Sequence, residues 1–489
     1  MTTAQTRPAE RHRPLFHFTP ARHWLNDPNG LLHFGGEYHL FFQHNPFGST
    51  HGHMSWGHAV SRDLMAWEDL GVALPEREGR AIFSGSAVVD WHNTSGLGLP
   101  DVPPLVALYT GHREGHQAQY LAYSRDRGRT WHDLGEVPVL DRGKCDFRDP
   151  KVFWHSGTER WVMAVAHPTE RQVEIFSSPS LRDWTSESLF GPAGDTSGPW
   201  EVPELFPLMD EDGLERWVLK VDVYPGRPAG GSGCQYFVGT FDGRTFSPTT
   251  PARWLDHGPD FYAALSFSDL PGRRVWLGWM NNWRYASRLP TEPWRGTVSV
   301  PRELSLAESA EGPVLRQQPV AELDRLQGAE FGVREHTLRD GVPLILTPHA
   351  LPALDLSLDL AGRGARRLVL HIGSGDQEEV VISCDLGGRR LVLRRTTAPS
   401  VGAPEGFDGE YEAPLTAADH LLSLRILVDR SSVEVFAQDG RVVMTALAFP
   451  EEAGWTVRAA AQGGDAEVLR SSVYALRRAA PPRPGSGDP

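Results

Sequence analysis

Short apolar runs separated by turn-forming residues recur from one end of the chain to the other. Leu105-Val106-Ala107-Leu108-Tyr109 and Trp161-Val162-Met163-Ala164-Val165 are examples from the first part, Leu424-Arg425-Ile426-Leu427-Val428 and Val433-Glu434-Val435-Phe436 from the last. Runs of this length between Gly, Pro, Asp and Ser clusters read as β-strands. A degenerate unit recurs among them: Ser61 to Trp67, Ser124 to Trp131, Ser180 to Trp184, and Phe241 to Phe246. Its closing aromatics fall at 67, 131, 184 and 246, and each unit reads as strand, polar turn, aromatic, strand. A period near 60 in an all-β chain predicts propeller blades, about five over the first 290 or so residues. The alternative is that the unit recurs only because hairpin turns favour Ser, Asp and Gly. Four copies in phase favour blades.

The pattern changes after Arg302-Glu303-Leu304. Fifteen of the 16 tryptophans lie between Trp24 and Trp294. The stretch Pro319 to Gln327 predicts a short helix with Val320, Leu323 and Leu326 on one face. Beyond it, alternating strands and the Asp439-Gly440 hairpin turn predict a β-sandwich of roughly 150 residues. The expected fold is all-β: a five-bladed β-propeller over 14–312, a linker with a short helix over 313–330, a β-sandwich over 331–478, and a disordered tail over 479–489.

Composition narrows the function. Across 489 residues the apolar fraction is 40% and the charged fraction 22%, enough for packed cores. Forty-eight basic against 62 acidic residues give a net charge of −14, which disfavours nucleic acid and anionic membranes as partners. No apolar run approaches the ~20 residues of a membrane span. Cys145, Cys234 and Cys384 are far apart and odd in number, so no disulfide framework is expected. Met1 to Pro14 is polar and lacks an apolar leader core, and the expected location is cytoplasmic. His112 and His116 are four apart but stand around a Gly-bounded turn without the H-E-x-x-H order. His44, His51, His53 and His58 read as pocket rim or surface. No phosphate-binding or dinucleotide motif appears, so neither metal nor cofactor is expected.

Three motifs place acids in unusual contexts. In Trp24-Leu25-Asn26-Asp27-Pro28-Asn29-Gly30, the proline after Asp27 has a fixed φ and no N–H, which holds a carboxylate at one angle. A plain hairpin turn explains the same residues. In Asp146-Phe147-Arg148-Asp149-Pro150, a buried Arg148 would keep Asp149 ionised by lowering its pKa. In Trp200-Glu201-Val202-Pro203-Glu204, Glu201 sits in apolar company, which raises a carboxyl pKa as a general acid requires. Glu204 is equally eligible.

In this order the motifs resemble glycoside hydrolase family 32, the β-fructosidases: invertases, exo-inulinases, levanases and fructan-transferring relatives. The resemblance covers nearly the whole chain. It includes Trp24–Gly30, Phe41–Pro46 (FFQHNP), Trp56–Ala59 (WGHA), Phe83–Ser86 (FSGS), Phe147–Pro150, Trp200–Leu205 and Asp260–Ala263 (DFYA). Trp294-Arg295-Gly296 and Pro301-Arg302-Glu303-Leu304 close the first domain, and Leu424 to Pro450 resembles the family's sandwich. The resemblance implies a retaining mechanism, with Asp27 as nucleophile, Glu201 as acid/base and Asp149 as the carboxylate steadying the oxocarbenium-like transition state. It implies a sugar pocket at Asn26, Gln43, Trp56, Phe83, Ser84 and Arg148, joined by Tyr262 and Trp283. A retaining pair stands about 5–5.5 Å apart. Two departures stand out: Val202 follows the acid/base where many relatives carry Cys or another residue, and His51-Gly52 replaces a Trp-Gly. Gly278 to Trp283 and Pro293 to Gly296 resemble the levanase and exo-inulinase branch. The implied activity is removal of terminal β-D-fructofuranosyl units from levan, inulin, fructo-oligosaccharides or sucrose. A fructosyltransferase, including one that forms difructose anhydride, is the alternative, and an inactive fructan-binding propeller is disfavoured by the presence of all three acids.

Overall fold

The computed structural model describes residues 8–479, except 78, 227, 376 and 416–420. The expected tail lies, beyond Ala479, outside the described residues. Five antiparallel sheets follow one another along the first part. Their first strands are His23–Phe34, Ala81–Val89, Arg148–His155, Trp200–Met209 and Tyr262–Ser266. Each of these strands packs against the next, and the fifth returns to the first, so they form a closed ring around one axis. Such a ring is a propeller, and each sheet hides its faces against its neighbours.

The repeated aromatic unit has a structural origin. In three copies the indole N–H donates to the carbonyl three residues earlier: Trp67 to Leu64, Trp131 to Gly128, and Trp184 to Leu181, at 3.0, 3.1 and 3.1 Å. Asp63 and Asp126 accept backbone N–H groups in two of these turns, and Asp242 does so in the turn of the fourth unit. These turns lead into the outermost strands Trp67–Leu74, His132–Asp133, Thr185–Phe190 and Phe246–Pro248. Blade repeat and turn chemistry are one signal.

A ring of sheets needs a closure. Trp294–Arg295 pairs in parallel with His23–Trp24 at the inner edge of the first blade. Gly296 follows at φ 100°, where a Cβ would meet the Leu25 carbonyl oxygen at 2.0 Å. Only glycine fits there. A second tie joins His33 N–H to the Ser268 carbonyl at 2.9 Å and Ser268 N–H to Leu31 at 2.9 Å.

The boundary differs from the sequence expectation. Val314–Pro319, counted with the linker above, is the outer strand of the fifth blade, paired with Arg302–Ala307. The alternation Leu315, Gln317, Pro319 buries one face of it. The short helix is a 3-10 turn, Ala321–Leu326, and Gln327–Phe331 already pairs with the sandwich strand Ala466–Leu476. The sandwich packs sheets of seven and six strands around Leu356, Leu370, Val435 and Trp455.

Buried ions join the two domains. Arg302, in the fifth blade, donates to Glu434 of the sandwich at 2.6 Å and to Asp256 at 3.1 Å. Arg395 of the sandwich reaches back to Asp260 at 2.5 Å. His17 lies between Asp429 at 2.9 Å and Glu434 at 2.7 Å. Burial disfavours a charged His17 ring, but the bonds to and charges of both carboxylates win, and its pKa rises to about 9.

A raised histidine pKa stabilises the fold fully below the unfolded value of about 6.5 and ceases to do so as pH rises through the folded one. Chemical denaturation should therefore show stability falling between about pH 6.5 and 9. His17→Gln should abolish that slope; an unchanged slope would show that another group causes it.

Candidate active site

Most of the candidate residues come from the heads of the five inner strands, whereas Gln43 and Trp56 lie on the next two strands of the first blade and Trp283 follows Val275–Trp279. Each inner-strand head carries the same irregularity. Register shifts fall between Leu25 and Pro28, Ile82 and Gly85, Arg148 and Lys151, Glu201 and Glu204, and Tyr262 and Leu265. Each is a β-bulge, which leaves a residue unpaired and re-aims side chains. Pro150 and Pro203 stand inside two of them, where a missing N–H costs no ladder bond, and Pro28 directly follows a third. The bulge replaces the hairpin turn that Asp27-Pro28-Asn29-Gly30 could have formed.

The bulges open onto a cavity of ≈ 370 Å³ lined by Asn26, Asp27, Gln43, Phe83, Ser84, Arg148, Asp149, Glu201 and Trp283, together with His51. Trp56 and Tyr262 stand behind this wall. Trp56 is fully buried and donates its indole N–H to the Phe83 carbonyl at 2.9 Å. The Tyr262 hydroxyl donates to Glu201 Oε2 at 2.6 Å.

Asp27 is held on both carboxylate oxygens. Ser84 Oγ donates at 2.7 Å and Asn26 Nδ2 at 2.9 Å, while Trp24 Nε1 fixes Asn26 at 2.6 Å. Burial raises the Asp27 pKa; the Asn26 and Ser84 bonds oppose this and the charge of Glu201 adds to it. Glu201 is partly open, its side chain 23% exposed, and accepts Arg148 Nη2 at 2.8 Å. Its carboxylate is thus in polar company, contrary to expectation: the apolar neighbours Trp200 and Val202 are buried away from it.

Arg148 also corrects the reading of Asp149. Its guanidinium turns to Glu201 and to Asp146 at 2.8 Å, leaving Nε 4.0 Å from Asp149 Oδ2. Burial therefore dominates, and the Asp149 pKa is pushed up to about 7 against the Arg148 charge, with help from Glu201 and Asp27. Glu204 is excluded from the pocket. It is fully buried in an ion pair with Lys151 at 3.0 Å and accepts Ser266 Oγ at 2.7 Å, filling the propeller axis below the cavity.

Sequence reasoning missed a supporting pair, Lys220 and Asp222. Lys220 Nζ donates to Asp222 Oδ2 at 2.6 Å and to the Val202 carbonyl at 3.0 Å. Val202 N–H donates to Asp149 Oδ2 at 2.9 Å. These bonds hold Val202 at φ 45°, a strained conformation for a β-branched residue. Two charges alternating within the apolar strand Glu215–Val223 were the available signal, since unpaired charges do not lie in strand interiors.

The histidines scatter. His51 lines the cavity, and His112 stacks on Phe83 at 4.5 Å and 5°. His44 Nδ1 bonds to the Trp24 carbonyl, His58 stacks on Phe41, and His53 meets Glu76. Among the described residues, no group of three His, Cys, Asp or Glu is arranged to hold a metal ion.

The family model described as "Glycosyl hydrolases family 32 N-terminal domain" matches residues 17–319, and that for the "family 32 C terminal" matches 325–475. A levanase of Bacillus subtilis (strain 168) is 42% identical over 482 residues, covering 96% of this chain and 71% of that protein. An extracellular exo-inulinase of Aspergillus awamori is 37% identical, covering 95% of this chain and 94% of that protein. The crystal structure of exo-inulinase from A. awamori superposes with a TM-score of 0.90 at 35% identity, over 96% of this chain and 99% of that one. A Schwanniomyces occidentalis β-fructofuranosidase complexed with fructosyl-erythritol gives 0.90 at 31%, over 98% and 100%.

Carbon-13 NMR of the ligand-free protein should place the Asp149 carboxyl titration near 7. Arg148→Met removes the largest influence that lowers it, so the titration should move to higher pH. A downward shift would contradict this electrostatic account.

Proposed function

The chain belongs to glycosyl hydrolase family 32, and from that membership we propose a retaining β-fructosidase that removes terminal β-D-fructofuranosyl units from fructans, fructo-oligosaccharides or sucrose. One observation carries this reading. Three strand heads deliver Asp27, Asp149 and Glu201 into one cavity, the first gripped by a hydroxyl and an amide, the last by a guanidinium and a phenol. The levanase and exo-inulinase relatives support hydrolysis over transfer.

Asp27 attacks C2 of the terminal fructosyl unit while Glu201 gives its proton to the departing oxygen. The glycosidic C–O bond breaks as the ester to Asp27 forms. Glu201 then takes a proton from water, and the water oxygen displaces Asp27 from C2. The bonds from Ser84 and Asn26 favour the ionised Asp27 that attack requires. Burial raises the pKa of Asp149 to about 7 and raises that of Asp27 against the bonds that hold it, so both give up protons less readily than carboxyls in water. Asp149 accepts bonds from the sugar hydroxyls that strengthen as positive charge grows on the ring. Phe83 and Trp283 offer apolar faces to the sugar, and Asn26 and Gln43 offer amides to its hydroxyls.

Asp27→Ala and Glu201→Ala should each lower kcat by roughly ten-thousandfold without loss of fold by circular dichroism. Wild-type enzyme should release free fructose from sucrose, inulin and levan rather than build new oligosaccharides. Because C2 inverts twice, NMR of the earliest fructose should show the β-anomer. Near-normal turnover in either variant, or an α-anomer first, would overturn the mechanism; oligosaccharide products would favour a transferase.

A further inference from the structure

The propeller axis has a second mouth. Opposite the acid cavity, the C-terminal ends of the inner strands open onto a cleft of ≈ 450 Å³. The Lys151–Glu204 pair, with Lys151 also bonded to the Ser266 carbonyl at 3.0 Å, fills the axis between the two, so the cleft is not an extension of the active site.

Its lining combines aromatic faces with polar groups whose bonding is incomplete. Trp91 follows the second inner strand and is 58% exposed; its indole N–H, at 2.8 Å from Asp269, pins the ring in place. Trp154 and Phe153 end the third inner strand, half-buried. Trp91, Phe153 and Trp154 together form an aromatic patch in the concavity, the kind of surface that marks a binding groove. Ser268 is 8% exposed, and its hydroxyl has no partner. Arg274 lies over the Phe206 ring at 5.2 Å and donates to Ser266 Oγ at 3.3 Å, with no ion-pair partner among the described residues. Burial pulls its pKa down, and the charge of Glu204 only partly offsets this.

We propose that this distal mouth is a second, non-catalytic carbohydrate site that holds a fructosyl stretch of the polymer. Of the lining cations, Lys151 is already paired with Glu204, and Glu215 and Asp269 outweigh Arg274, so the cleft offers an anion no net attraction. A neutral polyol fits what remains. Tryptophan faces cover the apolar side of a sugar ring, and Ser268 and the free guanidinium N–H groups meet its hydroxyls. The volume suits one or two sugar rings. A polymer held there raises the local concentration of chain ends without touching the chemistry. Its identity as a fructan rests on the function proposed above.

The full-length Asp27→Ala protein, which should not consume the probe, is run by affinity electrophoresis through gels containing levan or inulin. Adding Trp91→Ala, or separately Arg274→Gln, should weaken retention by about tenfold, the scale of one lost aromatic contact. In otherwise wild-type enzyme, both substitutions should raise KM for levan or inulin several-fold and leave kcat and KM for sucrose unchanged. Unchanged retention and polymer KM in both variants would overturn the site. So would an equal loss on sucrose, which would mark a structural role. Failure of the active-site reading would appear instead as absent sucrose and fructan hydrolysis by the wild-type enzyme, an outcome independent of retention.

Discussion

Adjacent residues of a strand ordinarily face opposite sides of their sheet. In this pocket they do not: Asn26 and Asp27, Phe83 and Ser84, and Arg148 and Asp149 all line one cavity as neighbouring pairs. The bulge at the head of each inner strand makes this possible by inserting a residue that breaks the two-residue period. Everything chemical follows from it. Asp27 meets Ser84 across blades, Arg148 meets Glu201, and the Val202 backbone meets Asp149, because each head is bent toward the axis. The strain at Val202 is the local cost, and the bonds from Lys220 and to Asp149 sustain it.

Bent strand heads need a rigid frame, and the ring supplies it only once closed. The closing pair, Trp294–Arg295 with His23–Trp24, ends three residues before the nucleophile. The sandwich reinforces the neighbouring fifth blade through Arg302, Asp256, Glu434 and His17, a network without solvent to screen it. Breaking a buried pair by removing one partner typically costs about 3–5 kcal/mol, because a charge is left uncompensated. The second domain is thus part of the first domain's scaffold.

Much of this was legible in the sequence. The aromatic repeat announced the blades because the same indole-to-carbonyl turn builds three of their outer hairpins. The prolines after Asp149 and after Val202 sit inside bulges, a signal present in the sequence because proline inside a strand must lie where no ladder bond is needed. The proline after Asp27 reads from sequence only as rigidity or a turn. What the sequence hid is three-dimensional partnership. Arg148 adjoins Asp149 in the chain but donates its hydrogen bonds to Glu201 from the next blade, so adjacency misled about which carboxylate it binds. Glu201 and Glu204 look alike in sequence, and only the position of Lys151 separates a pocket acid from a buried strut. The strand Val314–Pro319 is hidden in sequence because it follows a stretch of Glu, Gly and Pro, and only its pairing with Arg302–Ala307 assigns it to the propeller.

The strut below the cavity also governs traffic. Lys151, Glu204 and Ser266 close the axis, so the pocket is a dead end with a single door. A liberated monosaccharide cannot pass onward through the propeller while the shortened polymer advances behind it. The polymer must withdraw first, the sugar must leave by the way it came, and the next end must enter afresh.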